Sequence, residues 1–216
     1  MNGSITFHTW ESAHVPEILQ EVYIHKIYNR FMLGKKDGIF FDIGFNIGLW
    51  SFYASRYAKQ IYAFEPVPEL AEIGTLNMKN NGITNVEVIQ KAVSNEDGKT
   101  TFYLSSNETM SSLNKAINDT GKSLTVDCVS LSTFVKEKNI NHIDFIKLDV
   151  EGSEDKILAS DGFKDIVPKV DTVVFEWHSW TNASPMVIAD GLKHLGFTVK
   201  KIAMPVGSAS VFVAEK

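Results

Sequence analysis

Residues 40–51 read FFDIGFNIGLWS, an apolar run that breaks into two glycines and an asparagine before apolar residues resume. The first part, residues 39–43, has the length and composition of a strand buried on both faces. Gly44 and Gly48 let the backbone turn tightly and approach a ligand, and a helix starting at residue 49 presents unpaired N–H groups there. A strand, a glycine loop and a helix in this order open a doubly wound α/β sheet. Such sheets bind ligands outside the carboxyl ends of their strands.

Working outward, the same alternation continues to the end of the chain. Strands are expected at 60–65, 86–90, 143–149 and 171–176, with helices at 49–58, 68–82, 131–138, 153–160 and 185–196. FTVKKI (197–202) and SVFVAE (210–215) read as a terminal antiparallel strand pair. The expected fold is a mostly parallel sheet with helices on both faces. Residues 15–33 place Val15, Ile18, Leu19, Val22, Ile27 and Phe31 at helical spacing before Gly34, which predicts an N-terminal helical extension (1–36) packed on a single domain (37–216). Residues 92–128 interrupt the alternation. There the Glu96-Asp97-Gly98 triplet predicts a hairpin turn, followed by a polar loop over 105–121.

A length of 216 residues supports one sizeable core, and 44% hydrophobic with 22% charged residues is a globular composition. A net charge of −5, without a basic run, argues against a nucleic-acid partner. The opening residues lack the basic-then-apolar order of a signal peptide, and no apolar run is long enough to span a membrane. A single cysteine, Cys128, excludes an internal disulfide framework and any cysteine-based zinc site. A cytoplasmic chain is the expectation. Nothing in the sequence sets an oligomeric state.

The glycine loop has an acidic partner. Glu65 ends the next strand, seventeen residues after Gly48, where a carboxylate accepts both hydroxyls of a ribose. This arrangement serves a nicotinamide cofactor or S-adenosylmethionine alike. Three details favour the second. The loop reads G-x-N-x-G, without the middle glycine that brings backbone close to a pyrophosphate. Asp42 repels a pyrophosphate and attracts a ligand ammonium. A third strand end, KLDVEG, adds Asp149 and Glu151 to the same rim. A nicotinamide-dependent oxidoreductase and a catalytically silent nucleoside-binding protein are the competing classes.

FDIGFNIGLWS, FEPVPE, NVEVIQKAVSNEDG and IDFIKLDVEGSE occur in an order and spacing that resembles the FkbM family of S-adenosylmethionine-dependent methyltransferases, over roughly residues 38–200. The resemblance implies the seven-stranded class I methyltransferase (Rossmann-like) fold. It also implies methyl transfer onto a hydroxyl oxygen of a sugar, glycan or secondary metabolite, hence a small-molecule or carbohydrate acceptor. By the same motifs Asp42, Gly44, Asn46 and Gly48 surround the amino-acid end of the cofactor, Glu65 takes the ribose, and Asp149 shares the rim. Phe45 stands where the family commonly has a small residue. Lys91 stands where many methyltransferases carry an adenine-reading acid, which shifts adenine recognition to backbone near Ala92.

Methyl transfer to a hydroxyl needs positioning and a base for one proton. His178 or Glu151 is the expected base, with Glu176 or Asp149 orienting it. Each has a plainer reading: a histidine between tryptophans packs, and Glu151 complements a helix dipole. Asp149, Glu176 and His178 also suit Mg²⁺ or Mn²⁺, although their spacing requires no metal.

Overall fold

The structure, a computed structural model, describes residues 6–9, 28–32, 35, 37–105, 111–115, 120–202 and 210–216. A short helix α1 (Asn29–Met32) precedes β1 (Gly38–Ile43), α2 (Leu49–Ala54), β2 (Ala58–Phe64), α3 (Pro68–Asn80) and β3 (Val86–Ile89). Three strands follow: β4 (Ala92–Val93), β5 (Gly98–Tyr103) and β6 (Ser123–Val129). The remainder is α4 (Leu131–Glu137), β7 (Phe145–Leu148), α5 (Glu154–Ala159), α6 (Asp161–Ile166), β8 (Thr172–Trp177), α7 (Pro185–His194), β9 (Thr198–Ile202) and β10 (Ser210–Glu215).

Seven strands form one sheet in the order β3-β2-β1-β7-β8-β10-β9, parallel except for β10, which runs antiparallel to both its neighbours. This is the class I methyltransferase architecture. Period-two alternation divides two cores across it. Phe41, Ile43, Ile146, Leu148, Val173 and Phe175 pack with α4, α5 and α6 on one face. Phe40, Phe145 and Val174 pack with Trp50 and Phe52 of α2 and with Tyr28 and Met32 on the other. By the same alternation Asp42, Lys147 and Glu176 lie on this second face, where Asp42 is in register with Lys147. Among the described residues no helix is long and apolar enough to cross a membrane.

The hairpin expected around 96–98 is not a hairpin. β4 and β5 flank the turn, yet both pair with β6, which lies between them as β4-β6-β5. The reason is a pair of long-range bonds. The Asp97 carboxylate accepts from the Ser130 amide and the Thr133 hydroxyl, both at 2.7 Å, so the turn is tied to the start of α4 instead of closing on itself. The sequence reading also missed α6, and it ran the helix after the glycine loop to residue 58, where α2 ends at Ala54. Most of the predicted N-terminal helix and of the 105–121 loop lies outside the described residues. Of the N-terminal segment, Tyr28 packs edge-on against Trp50 and Phe7 against Phe52.

Candidate active site

The parallel strands β1, β2, β7 and β8 end on one rim, and their last residues and the loops leaving them hold every candidate residue but Ala92, which lies in β4. Gly44, Asn46 and Gly48 all have positive φ (92°, 54° and 87°), so the 44–48 loop is a left-handed turn at three of its five positions. Gly44 is compelled by proximity as well: a Cβ there would lie 1.8 Å from the Asp149 carbonyl oxygen. Phe45, the departure from the family pattern, finds its room at two other glycines. Its buried ring lies where a Cβ on Gly48 or on Gly74 of α3 would sit, beside Met78.

Glu65 is buried and held in place by the loop it serves. Its two oxygens accept from the backbone amides of Asn46 (2.8 Å) and Val67 (2.9 Å). Burial pushes its pKa up to about 7 against the opposing pull of those donors. Each oxygen keeps a second lone pair for a ligand hydroxyl.

Asp42 lies near the end of β1, two residues before Gly44. It is fully buried and bonded to the Ser51 hydroxyl at 2.6 Å, and its cationic partner is Lys147 at 3.3 Å, so this chain itself supplies the positive charge. Burial raises the Asp42 pKa, with Lys147 and Ser51 opposing. Lys147 also donates to the Gly44 carbonyl (3.0 Å) and faces Asp149 (3.4 Å). Burial lowers its pKa, but Asp42, Asp149 and Glu176 together outweigh burial, so the net shift is upward and favours the cation. The sequence reading passed over Lys147. The available signal was a lysine inside a strand otherwise buried on both faces, which demands a partner.

The other half of the rim is built by the turn after β7 and the loop after β8. Glu151 and Gly152 both adopt positive φ (56° and 102°), and Trp180 covers this turn, donating to the Glu151 carbonyl at 3.1 Å. His178 stacks on Trp180 with ring centroids 5.0 Å apart. Its Nε2 faces Glu151 (3.3 Å) and Asp149 (3.9 Å), and its Nδ1 faces Glu154 (3.3 Å). Burial pulls the His178 pKa down, but Glu154, Glu151 and Asp149 outweigh it and lift it to about 10. Burial first, then Asp149, raise Glu151 well above the carboxylate range, with His178 opposing.

His178 thus stands between Glu151 and Glu154, and Glu154 is a residue the sequence reading left unassigned, although it stands three positions after Glu151 in VEGSE. Glu154 is fully buried and also accepts from the amides of Val150 and Gly152, which fixes the turn carrying Glu151. Glu176, one of the two residues expected to orient the base, accepts from the Tyr28 hydroxyl at 2.7 Å. At this rim, among the described residues, the metal-compatible set is Asp149, Glu151 and His178, and Glu176 is not part of it. Ala92 sits in β4, paired with Cys128, with its methyl group in a small core with Ile47 and Leu49. Asn114 links the insertion to the rim, donating to the carbonyls of Trp180 (2.8 Å) and Gly152 (3.3 Å).

Comparison with known proteins settles the family. The profile of the Methyltransferase FkbM domain matches residues 42–199, which carry the glycine loop, Glu65 and the whole acidic rim. The chain belongs to the FkbM methyltransferase family. It is a methyltransferase. Its sequence is 27% identical over 231 aligned residues to the 31-O-demethyl-FK506 methyltransferase FkbM of Streptomyces tacrolimicus, covering 92% of this chain and 87% of that one. The methyltransferase has the fold of precorrin-6y C5,15-methyltransferase from Geobacter metallireducens (TM-score 0.59, 14% identity, 97% of this chain and 94% of that one). It has the fold, too, of TrmK from M. capricolum, solved with S-adenosyl-homocysteine (TM-score 0.52, 16% identity, 87% of this chain and 66% of that one).

Proposed function

We propose that this methyltransferase uses S-adenosyl-L-methionine and methylates a hydroxyl oxygen of a small molecule or carbohydrate. The observation that carries the cofactor assignment is Glu65: a buried strand-end carboxylate, aligned by the Asn46 and Val67 amides, with lone pairs left for the two ribose hydroxyls. Gly44 and Gly48 give the cofactor's amino-acid end a close backbone approach. Lys147 neutralises Asp42 and holds the loop in that shape. Ala92, on the next strand after β3, is the neighbour of the adenine. When bound, S-adenosylmethionine supplies an electrophilic methyl on a sulfonium whose departure as a neutral thioether costs little.

The chain's own task is to receive the acceptor oxygen and dispose of one proton. Asp149, Glu151 and His178 converge for this from two loops, with Glu154 positioning the imidazole through Nδ1. Oxygen as the acceptor atom is supported by the similarity to a relative whose name specifies a 31-O-demethyl substrate. A net charge of −5 favours a small-molecule or carbohydrate acceptor over a nucleic acid.

The test is calorimetric titration with S-adenosylmethionine, S-adenosylhomocysteine and NAD, on the wild type and on Glu65→Gln. Micromolar binding of both adenosyl ligands, weakened at least about tenfold by the substitution (1.4 kcal/mol), is the expected result. Preference for NAD, or affinity indifferent to Glu65, would overturn the assignment. Turnover of hydroxylated acceptors that stops in Glu151→Gln while S-adenosylhomocysteine still binds would place the chemistry at the acceptor corner.

A further inference from the structure

The acceptor corner has the makings of a divalent-cation site. Asp149 comes from the end of β7, Glu151 from the left-handed turn after it, and His178 from the loop after β8. Their ligand atoms all lie within 4.8 Å of one another. His178 Nε2 is 3.3 Å from Glu151 Oε2 and 3.9 Å from Asp149 Oδ1. Donor atoms held at about 2.1 Å by an octahedral ion are about 3 Å apart when adjacent and about 4.2 Å apart when opposed. The observed separations fall inside that range.

Three further observations point to a ligand between these atoms. Asp149 Oδ1 and Glu151 Oε2 are both buried and make no hydrogen bond among the described residues. His178 is 6% exposed and its ring is fixed against Trp180, with Glu154 3.3 Å behind Nδ1 and Nε2 turned toward Asp149 and Glu151. A carboxylate behind one ring nitrogen and a ligand position before the other is how proteins hold a metal-binding histidine. Finally, the carboxylates of Asp149, Glu151, Glu154 and Glu176 surround one imidazole and one ammonium, Lys147, which Asp42 already engages.

We propose that Asp149, Glu151 and His178 bind one divalent cation, Mg²⁺ or Mn²⁺ by its oxygen-rich ligand set, with Glu154 as the second partner of His178. The assignment rests on the reading of this corner as the acceptor side of the methyltransferase. The ligand oxygens are buried while the side chains of Asp149 and Glu151 as a whole are 26% and 17% exposed, so the ion lies just beneath the rim, where the acceptor oxygen completes its coordination. Binding displaces the His178 Nε2 proton to water, and coordination there acidifies the acceptor hydroxyl. Its proton passes to water at the rim, the oxygen–carbon bond forms, and the carbon–sulfur bond breaks to leave the thioether.

The test uses Mn²⁺ as the probe. Metal-stripped protein is titrated with Mn²⁺ by electron paramagnetic resonance, with and without S-adenosylhomocysteine, whose own binding is measured in parallel. One Mn²⁺ site is expected, with Glu151→Gln and His178→Gln each weakening it and Glu154→Gln weakening it about 10–100-fold. S-adenosylhomocysteine affinity should stay within about threefold in all three. Asp171→Asn controls for a second, more exposed cluster of His142, Asp144 and Asp171 at the other end of the strands. No Mn²⁺ binding, or binding lost only in Asp171→Asn, overturns the site while leaving the methyltransferase reading intact. Failure of the wild type to bind S-adenosylhomocysteine strikes the cofactor reading instead. Circular dichroism of each variant separates lost ligation from lost folding.

Discussion

The Lys147 ammonium donates to the Gly44 carbonyl at 3.0 Å across a sequence separation of 103 residues. One buried side chain thereby ties the middle of β7 to the loop after β1, while balancing Asp42 and reaching Asp149. The glycine loop is held by a cation behind it as much as by its own left-handed turns.

Lys147→Met leaves Asp42 as an uncompensated buried carboxylate, an error that costs about 3–5 kcal/mol. Urea denaturation should show this loss, and S-adenosylhomocysteine affinity should fall with it. Adding Asp42→Asn to Lys147→Met should recover most of the stability, since no buried charge then remains. Equal instability in the single and double variants would mean that the pair is not coupled.

Phe45 and Gly74 are predicted to behave as one unit. A Cβ on Gly74 would lie 2.1 Å from Phe45 Cε1, so Gly74→Ala forces the ring to move and costs about 1–3 kcal/mol. Phe45→Ala opens a cavity and costs about 3–5 kcal/mol. Combined, the two substitutions should cost less than their sum by about 1 kcal/mol or more, as expected for side chains in contact. Additive losses by chemical denaturation would refute the contact.

Glu65 should impose a pH dependence of defined sign. Its folded pKa of about 7 lies above its ordinary value, so the folded state holds a proton that the unfolded state has released. Ligand-free wild type should therefore lose stability relative to Glu65→Gln as pH rises through about 7. Cofactor affinity should move the other way, strengthening as the carboxylate ionises to accept the ribose hydroxyls. Parallel melting curves for the two proteins across pH 5 to 8 would contradict the buried carboxylate.

Tyr28→Phe removes the 2.7 Å donor to the buried Glu176, with an expected cost of about 1–3 kcal/mol. If the N-terminal segment is anchored this way, amide exchange should speed up around Asn29–Met32 more than in β7. Unchanged protection there would show that packing of Tyr28 on Trp50 suffices.

The glycine loop illustrates what was legible in advance. Its place after β1, the strand-end position of Glu65 and the terminal antiparallel pair all followed from short-range pattern, because side-chain period and glycine freedom are properties of a few adjacent residues. The 96–98 turn was not legible. A three-residue turn signal predicts a reversal, and it was the distant bonds from Asp97 to Ser130 and Thr133 that decided which strand entered between its arms. Likewise the sequence placed Asp149, Glu151, Glu176 and His178 on one rim but could not rank their partners.

By itself the amino-acid sequence determined the class I sheet, the family and the loop where a nucleoside-type cofactor fits, since local periodicity and the order of motifs carry that information. Only the tertiary structure decided that Asp42 meets Lys147, that His178 meets Glu154, and that Glu176 turns to Tyr28. Those pairings depend on strand register and on helices arriving from elsewhere in the chain. A buried charge takes whatever opposite charge that register sets within a few ångströms, and no local pattern records the distance.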